Sequence, residues 1–208
     1  MKEYFNHLNK QNIDANVIAM KAEAKKKDIP IISDEGLIYL LQLIRLTEAK
    51  RILEIGTAIA YTAINIAMLN KDIIVDTIEK DEKMVVNAQE NIKRSNLEKQ
   101  IQIFHEDALE IALDLLKGNY DLIFIDAAKA QYQKFFEKFE VLLNDGGIIV
   151  CDNLLFHGLM EGKEEIKSRN LRALVRKIKD FNNYLAQNNK FHTVFLKIGD
   201  GMAVSEKL

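Results

Sequence analysis

The stretch Arg51-Ile-Leu-Glu-Ile-Gly-Thr-Ala-Ile-Ala-Tyr-Thr-Ala63 constrains the fold more than any other. Its apolar run at 51–55 reads as a short strand. Gly56 permits a tight turn, and a helix follows over about 61–69. In such a unit the turn amides and the helix N-terminus face whatever binds there, and glycine lets the backbone come close. The pattern is E-x-G-x-x-x-A. A G-x-G-x-x-G fingerprint would need glycine at Thr57 or Ala58 and again near Tyr61, and has neither. Glu54, an acid at the strand's end, suits a cationic or hydroxyl-rich ligand. An ordinary strand, turn and helix would show the same local pattern, so the rest of the chain must decide.

From Arg51 onward, β-rich runs alternate with helical ones. Strands are predicted at 51–55, 73–78, 101–105, 121–126 and 148–152, with helices at about 61–69, 81–95, 107–117 and 131–143. That alternation implies an α/β fold with a parallel sheet and helices on both faces. Asn144-Asp-Gly-Gly147 reads as a turn feeding the fifth strand. A long helix at about 164–187 follows. Phe191 to Ile198, Gly199-Asp-Gly201, and Met202 to Ser205 then read as a hairpin, which closes the sheet with an antiparallel pair. Residues 1–28 look helical, with Ile13, Val17, Met20 and Ala24 at helical spacing. Ser33 caps a second helix over Leu37, Leu40, Leu41 and Ile44. The expected organisation is one domain over 1–208, with N-terminal helices at 1–48 and a core at 49–208.

Composition narrows the class. The chain has 208 residues, 48% of them hydrophobic and 29% charged, as in ordinary soluble domains. A net charge of −2 gives no global signal for nucleic acid, so any such role needs a local patch. The lone Cys151 excludes an intramolecular disulfide. No apolar run approaches a membrane span and the N-terminus lacks a signal-peptide layout, so a cytoplasmic protein with no membrane partner is expected.

In an open parallel sheet, ligands bind beyond the carboxyl ends of the strands. Here those ends carry Glu54, Glu79, Asp107, Asp126 and Asp152, one acid at each of five edges. Glu79 has the reach to accept two hydrogen bonds from a ribose diol. Asp107 with Ala108 borders a base or, equally, caps a helix. Asp126, Asp152 and Asn153 supply three hard oxygen ligands from two strand ends, the donor set magnesium prefers. Lys129, three residues beyond Asp126, is either a base beside that cation or a solvated charge. Cys151 points away from Asp152 and reads as core. His7, His105, His157 and His192 show no metal-ligand spacing.

The segment Lys163 to Lys179 holds seven basic residues against two acidic ones. Leu171, Leu174, Val175, Ile178 and Phe181 mark its buried stripe. Arg169, Arg172, Arg176 and Lys179 fall on another side at helical spacing. This is a solvated face or a phosphate-binding ridge suited to an RNA backbone.

With these residues in hand, the chain resembles the Rossmann-like class I S-adenosylmethionine-dependent methyltransferases. More narrowly, it resembles the cation-dependent O-methyltransferases related to catechol O-methyltransferase. The marks are Glu54 to Thr62, Thr77-Ile-Glu79, Phe124-Ile-Asp-Ala-Ala-Lys-Ala-Gln-Tyr132, Cys151-Asp-Asn153 and Ile198-Gly-Asp-Gly201, over roughly residues 28 to 205. Ala60 departs from the family's usual glycine and should narrow the room near the methionine moiety. The resemblance implies a mostly parallel seven-stranded sheet with S-adenosylmethionine and Mg²⁺ as cofactors. It implies that Glu54, Gly56 and Thr62 hold the methionine end beside the Ile32 backbone, Glu79 the ribose, and Asp107 and Ala108 the adenine. Asp126, Asp152 and Asn153 would bind the metal, with Asp126 also near the cofactor's amino group, and Lys129 would be the base. The basic segment, with Phe181-Asn-Asn-Tyr-Leu185, resembles the bacterial branch that methylates 5-hydroxyuridine at the tRNA wobble position. That implies a tRNA anticodon loop as substrate, read by Arg169, Arg172 and Arg176. A small catechol-like substrate is the alternative. Family members are commonly homodimers, a contact the N-terminal helix would serve.

Overall fold

The computed structural model describes residues 8–9, 14–156, 158–161 and 168–208. Seven strands form one sheet: β1 (Arg51–Ile55), β2 (Ile74–Glu79), β3 (Ile101–His105), β4 (Tyr120–Ile125), β5 (Leu143–Cys151), β6 (Phe191–Leu196) and β7 (Met202–Lys207). Their order is β3-β2-β1-β4-β5-β7-β6. The pairs β1–β2, β1–β4, β2–β3 and β4–β5 are parallel, whereas β7 runs antiparallel to both β5 and β6. The expected mixed sheet with an antiparallel C-terminal pair is the one observed.

Among the described residues six α-helices flank it: α1 (Ala15–Lys26), α2 (Asp34–Leu46), α3 (Tyr61–Ala67), α4 (Glu82–Arg94), α5 (Tyr132–Phe139) and α6 (Arg169–Gln187). On one face, Val17, Met20 and Ala24 of α1 join Leu40 and Ile44 of α2, Ile64 of α3 and Ile92 of α4 over Ile52, Val75, Leu122 and Val150. On the other, Phe135, Phe136 and Phe139 of α5 and Ile178, Phe181 and Leu185 of α6 cover Leu53, Ile55, Ile123, Ile125 and Ile149. Strand side chains alternate between faces, so every strand but the edge strand β6 feeds both cores. Ser33 caps α2 as expected, its hydroxyl accepting from Gly36 N at 3.1 Å. Residues 1–7 and 10–13 of the predicted first helix, Ile13 among them, and residues 164–167 of the predicted long helix lie outside the described residues.

Two expectations are corrected. Residues 107–117 do not form a continuous helix. Glu110 N and Ile111 N both bond Asp107 O, closing a single turn, and a 3-10 turn follows at Leu113–Leu115. Lys138 Nζ donates to the carbonyls of Leu109 and Ile111 at 2.6 and 2.7 Å, so those acceptors are satisfied without a helix. The turn at Asn144–Gly147 is an irregularity inside β5 rather than a loop before it. Pairing steps from Tyr120↔Leu143 to Leu122↔Ile148, and Gly146 adopts a φ of 71° to absorb the extra residues.

Candidate functional site

The carboxyl ends of β1, β2, β4 and β5 meet in one place. Gly56 has φ 102°, and a Cβ built there would lie 2.2 Å from the Asp126 carbonyl oxygen. Only glycine lets the turns after β1 and β4 pass this closely. Gly56 N donates to Ile78 O at 3.0 Å and Asp126 N to Ile55 O at 3.0 Å, so these turns continue the sheet's bonding beyond the strands. Ala58 and Ala60 both take left-handed backbone, φ 46° and 64°. Ala60 is fully buried and α3 starts at it without a side-chain cap. Thr62 sits buried in the first turn of that helix.

Glu54 is buried against Thr77, its partner in the β1–β2 register. Thr77 Oγ1 donates to Glu54 Oε2 at 2.5 Å, and the hydroxyls of Thr57 and Thr77 lie 2.6 Å apart. Burial, countered by the Thr77 hydrogen bond and reinforced by Asp126 and Glu79, pushes the Glu54 carboxyl up to about 8. Without a cationic partner it holds its proton at neutral pH. Glu79 Oε2 accepts from Ala58 N at 2.9 Å, and Oε1 from Lys80 N and Asp81 N. It therefore ties β2 to the first turn, while Asp81 and not Glu79 caps α4. Asp107 accepts from Leu109 N at 2.9 Å and stands 3.6 Å from Lys80 Nζ, with Ala108 buried beside it. Ile32 is buried in the face formed by α1 and α2.

Asp126, Asp152 and Asn153 come together. Asn153 Nδ2 donates to Asp126 Oδ1 at 3.0 Å, and Asn153, with φ 63°, donates its backbone N–H to Asp152 Oδ1 at 2.7 Å. Burial first, then the neighbouring Asp126 charge, pushes Asp152 up to about 7, and burial raises Asp126 as well. Two carboxylates crowded out of water fit a divalent cation, which relieves both penalties at once. Among the described residues no group of three or more His, Cys, Asp or Glu forms a metal site. The available set is two carboxylates and an amide, all hard oxygens. Lys129 opens a 3-10 turn after β4. Its charge opposes the rise of both aspartates, and its Nζ lies 6.0 Å from the Phe156 ring centroid.

Sequence reasoning assigned no role to Thr57, Tyr132 or Asp200. Tyr132 Oη donates to Asp152 O at 3.0 Å from a fully buried position, and so pins the end of β5. Leu155 N donates to Asp200 O and Leu154 N to Gly201 O, which docks the β6–β7 turn under the same loop. Cys151 is buried in the core, and burial pushes its thiol well up, so it is no nucleophile. His105 and His192 are exposed, while His7 and His157 lie outside the described residues. Arg169, Arg172 and Arg176 stand exposed on α6, away from its buried Val175, Ile178, Phe181 and Leu185. That helix packs against the turn that carries Lys129.

Residues 9–208 match the family model described as O-methyltransferase. A catechol O-methyltransferase from Niastella koreensis is 33% identical over 193 residues, covering 88% of this chain and 85% of that protein. A Staphylococcus aureus structure, provisionally named a caffeoyl-CoA O-methyltransferase, superposes with a TM-score of 0.93 at 39% identity, covering 100% of this chain and 99% of the other. An O-methyltransferase from Bacillus cereus in complex with SAH superposes with a TM-score of 0.82 at 25% identity, covering 99% and 96%. With the strand-end acids, the Gly56 turn and these relatives in view, the chain belongs to the O-methyltransferase family, as an S-adenosylmethionine-dependent enzyme of the caffeoyl-CoA and catechol type.

Proposed function

We propose that this enzyme uses Mg²⁺ to methylate 5-hydroxyuridine at the wobble position of tRNA, giving 5-methoxyuridine. The observation that carries the substrate class is the row of exposed arginines on α6, on the helix that packs against the Lys129 turn. Arginine forks suit phosphate oxygens, and an anticodon base offers unstacked access. The 5-hydroxyl and 4-oxo groups of that base are vicinal oxygens, as in a catechol.

The residues then divide the labour. Glu54, Gly56 and Thr62 hold the methionine end of the methyl donor beside the Ile32 backbone. Glu79 holds the ribose, and Asp107 and Ala108 border the adenine. Glu54 gives up its proton when a cationic amino group arrives, because that charge offsets the burial penalty. Asp126, Asp152 and Asn153 would hold Mg²⁺, which supplies the positive charge that favours the ionised form of a substrate hydroxyl. Tyr132 keeps the Asp152 backbone in place. Lys129, once it has shed its own proton to solvent and stands as the free amine, would accept the hydroxyl proton at Nζ. Holding the oxygen in line with the methyl group provides most of the acceleration. A second copy of this chain, meeting it through the N-terminal helices, is the expected partner, and light scattering of the purified protein checks it.

A second reading keeps every residue in the same role and takes small catechol-like phenols instead of tRNA. The name of the Niastella koreensis relative favours it. The test is transfer of labelled methyl groups to tRNA bearing 5-hydroxyuridine, beside a simple catechol, with the Arg172→Ala/Arg176→Ala variant in parallel. The tRNA reading expects transfer to tRNA to exceed transfer to the catechol. It also expects the variant to lose tRNA methylation by about tenfold or more, with a weaker salt dependence, and to keep the catechol rate. Transfer to the catechol alone, or equal loss on both substrates, removes the tRNA reading.

A further inference from the structure

At the opposite ends of the strands lies a cavity of about 580 Å³, near the starts of β1, β2 and β3. It is far from the Gly56 turn in function but shares its strands. Asp76 lies on β2 three residues before Glu79, about 10 Å along the strand. Asp76 lines this cavity and is only 1% exposed. Its Oδ2 accepts from Tyr120 Oη at 2.6 Å and from Arg51 Nη2 at 3.3 Å, and the Arg51 guanidinium lies 5.5 Å from the Tyr120 ring centroid. Its Oδ1 is buried and has no hydrogen-bond partner. A buried carboxylate oxygen left unpaired is costly, on the order of 1–3 kcal/mol, and native proteins seldom leave one without a water or ligand to satisfy it. The rim adds Lys93, Lys99 and Lys117, with Gln102 between. Glu98 is the one further acid, so four cations face two carboxylates and the cavity favours an anion.

We propose that this cavity is a second ligand site, separate from the methyl-transfer site, for a small hydroxylated anion such as a phosphorylated sugar. The volume falls in the range usual for small-molecule sites. The lysines and Arg51 take the anionic group. Asp76 Oδ1 accepts a hydrogen bond from a ligand hydroxyl, which an anion lacking a hydroxyl cannot offer. Both halves of the recognition are thus needed, and they predict a preference that neither sulfate nor a neutral sugar shares.

Calorimetric titration of the full chain with ribose 5-phosphate, ribose and sulfate tests this directly. Ribose 5-phosphate binds saturably, and at least about tenfold more tightly than either ribose or sulfate. Lys99→Ala/Lys117→Ala weakens that binding by about tenfold while melting temperature and methyl transfer stay unchanged. Asp76→Ala removes the preference over sulfate. If that variant fails to fold, the wild-type preference and the lysine variant still decide. Absence of saturable binding at millimolar ribose 5-phosphate overturns the site, as does equal affinity for sulfate or an unchanged lysine variant. Selective loss of tRNA methylation in the lysine variant also overturns it, because the rim would then be an RNA contact.

Discussion

The two ends of the sheet treat their carboxylates in opposite ways. At the amino end, burial would raise Asp121, but the backbone N–H groups of Arg51 and Lys50 and the Asn144 amide outweigh it and hold the carboxyl below its ordinary value. Those three bonds measure 2.9, 2.9 and 2.8 Å. Asp76 keeps Arg51 as a counter-charge on one oxygen only, its other oxygen being unpartnered. At the carboxyl end, Glu54, Asp126 and Asp152 are all pushed up by burial, and the Asp126 charge adds to the rise of Glu54 and Asp152. The first arrangement stabilises a folded chain. The second destabilises ionised carboxylates until positive charge arrives from outside, as expected of a binding end.

The largest way to break this contrast is Asp152→Ala. Methyl transfer should fall by at least about a hundredfold, and EDTA should do the same to the unmodified enzyme. Full activity in EDTA would remove the cation from the mechanism. Asp152→Asn should also raise the melting temperature of the metal-free protein above about pH 7, because a neutral side chain relieves the crowding there.

The pH profile sharpens the contrast next. Glu54 rises from an ordinary 4.5 to about 8 on folding, so between those values the folded chain binds more protons than the unfolded one. Its contribution is fully present below pH 4.5 and is lost as pH rises through about 8. Glu54→Gln should flatten that alkaline fall in cofactor-free protein, read as melting temperature against pH. An unchanged slope would show that Glu54 is ionised when folded. Asp121 works the other way: its contribution is present above its ordinary 3.8 and lost as pH falls through its lower folded value. Asp121→Ala should cost about 2 kcal/mol of stability near neutral pH and leave methyl transfer intact.

The smallest expected effect is at Ala60. Its left-handed backbone costs roughly 1 kcal/mol for any residue but glycine. Ala60→Gly should therefore raise stability by up to about that amount, or tighten cofactor binding several-fold by clearing a methyl group from the first turn. Calorimetry with S-adenosylmethionine separates the two, and weaker binding would count against any crowding by Ala60.

Much of this was legible in the chain. β1 and β3 begin and end where their apolar runs do, and all five strand-end acids stand where parallel topology puts them. The 107–117 region was not, because the Lys138 ammonium that captures its carbonyls comes from another helix, and local periodicity carries no trace of it. The chain from Thr57 through Thr77 to Glu54 was hidden for a similar reason. Thr77 faces Glu54 only once the β1–β2 register is fixed. Tyr132 belonged to a recognised run of residues, yet its hydroxyl finds Asp152 O only after α5 packs.

The closeness of Gly56 to the Asp126 carbonyl has a consequence for how this enzyme can change. On the proposed assignment, the donor half and the cation half would share a partition one backbone thick. Neither half could then be widened, retuned or relocated by side-chain growth at that seam without moving the other. New substrates would therefore be accommodated at an outer wall, while the inner geometry is inherited whole.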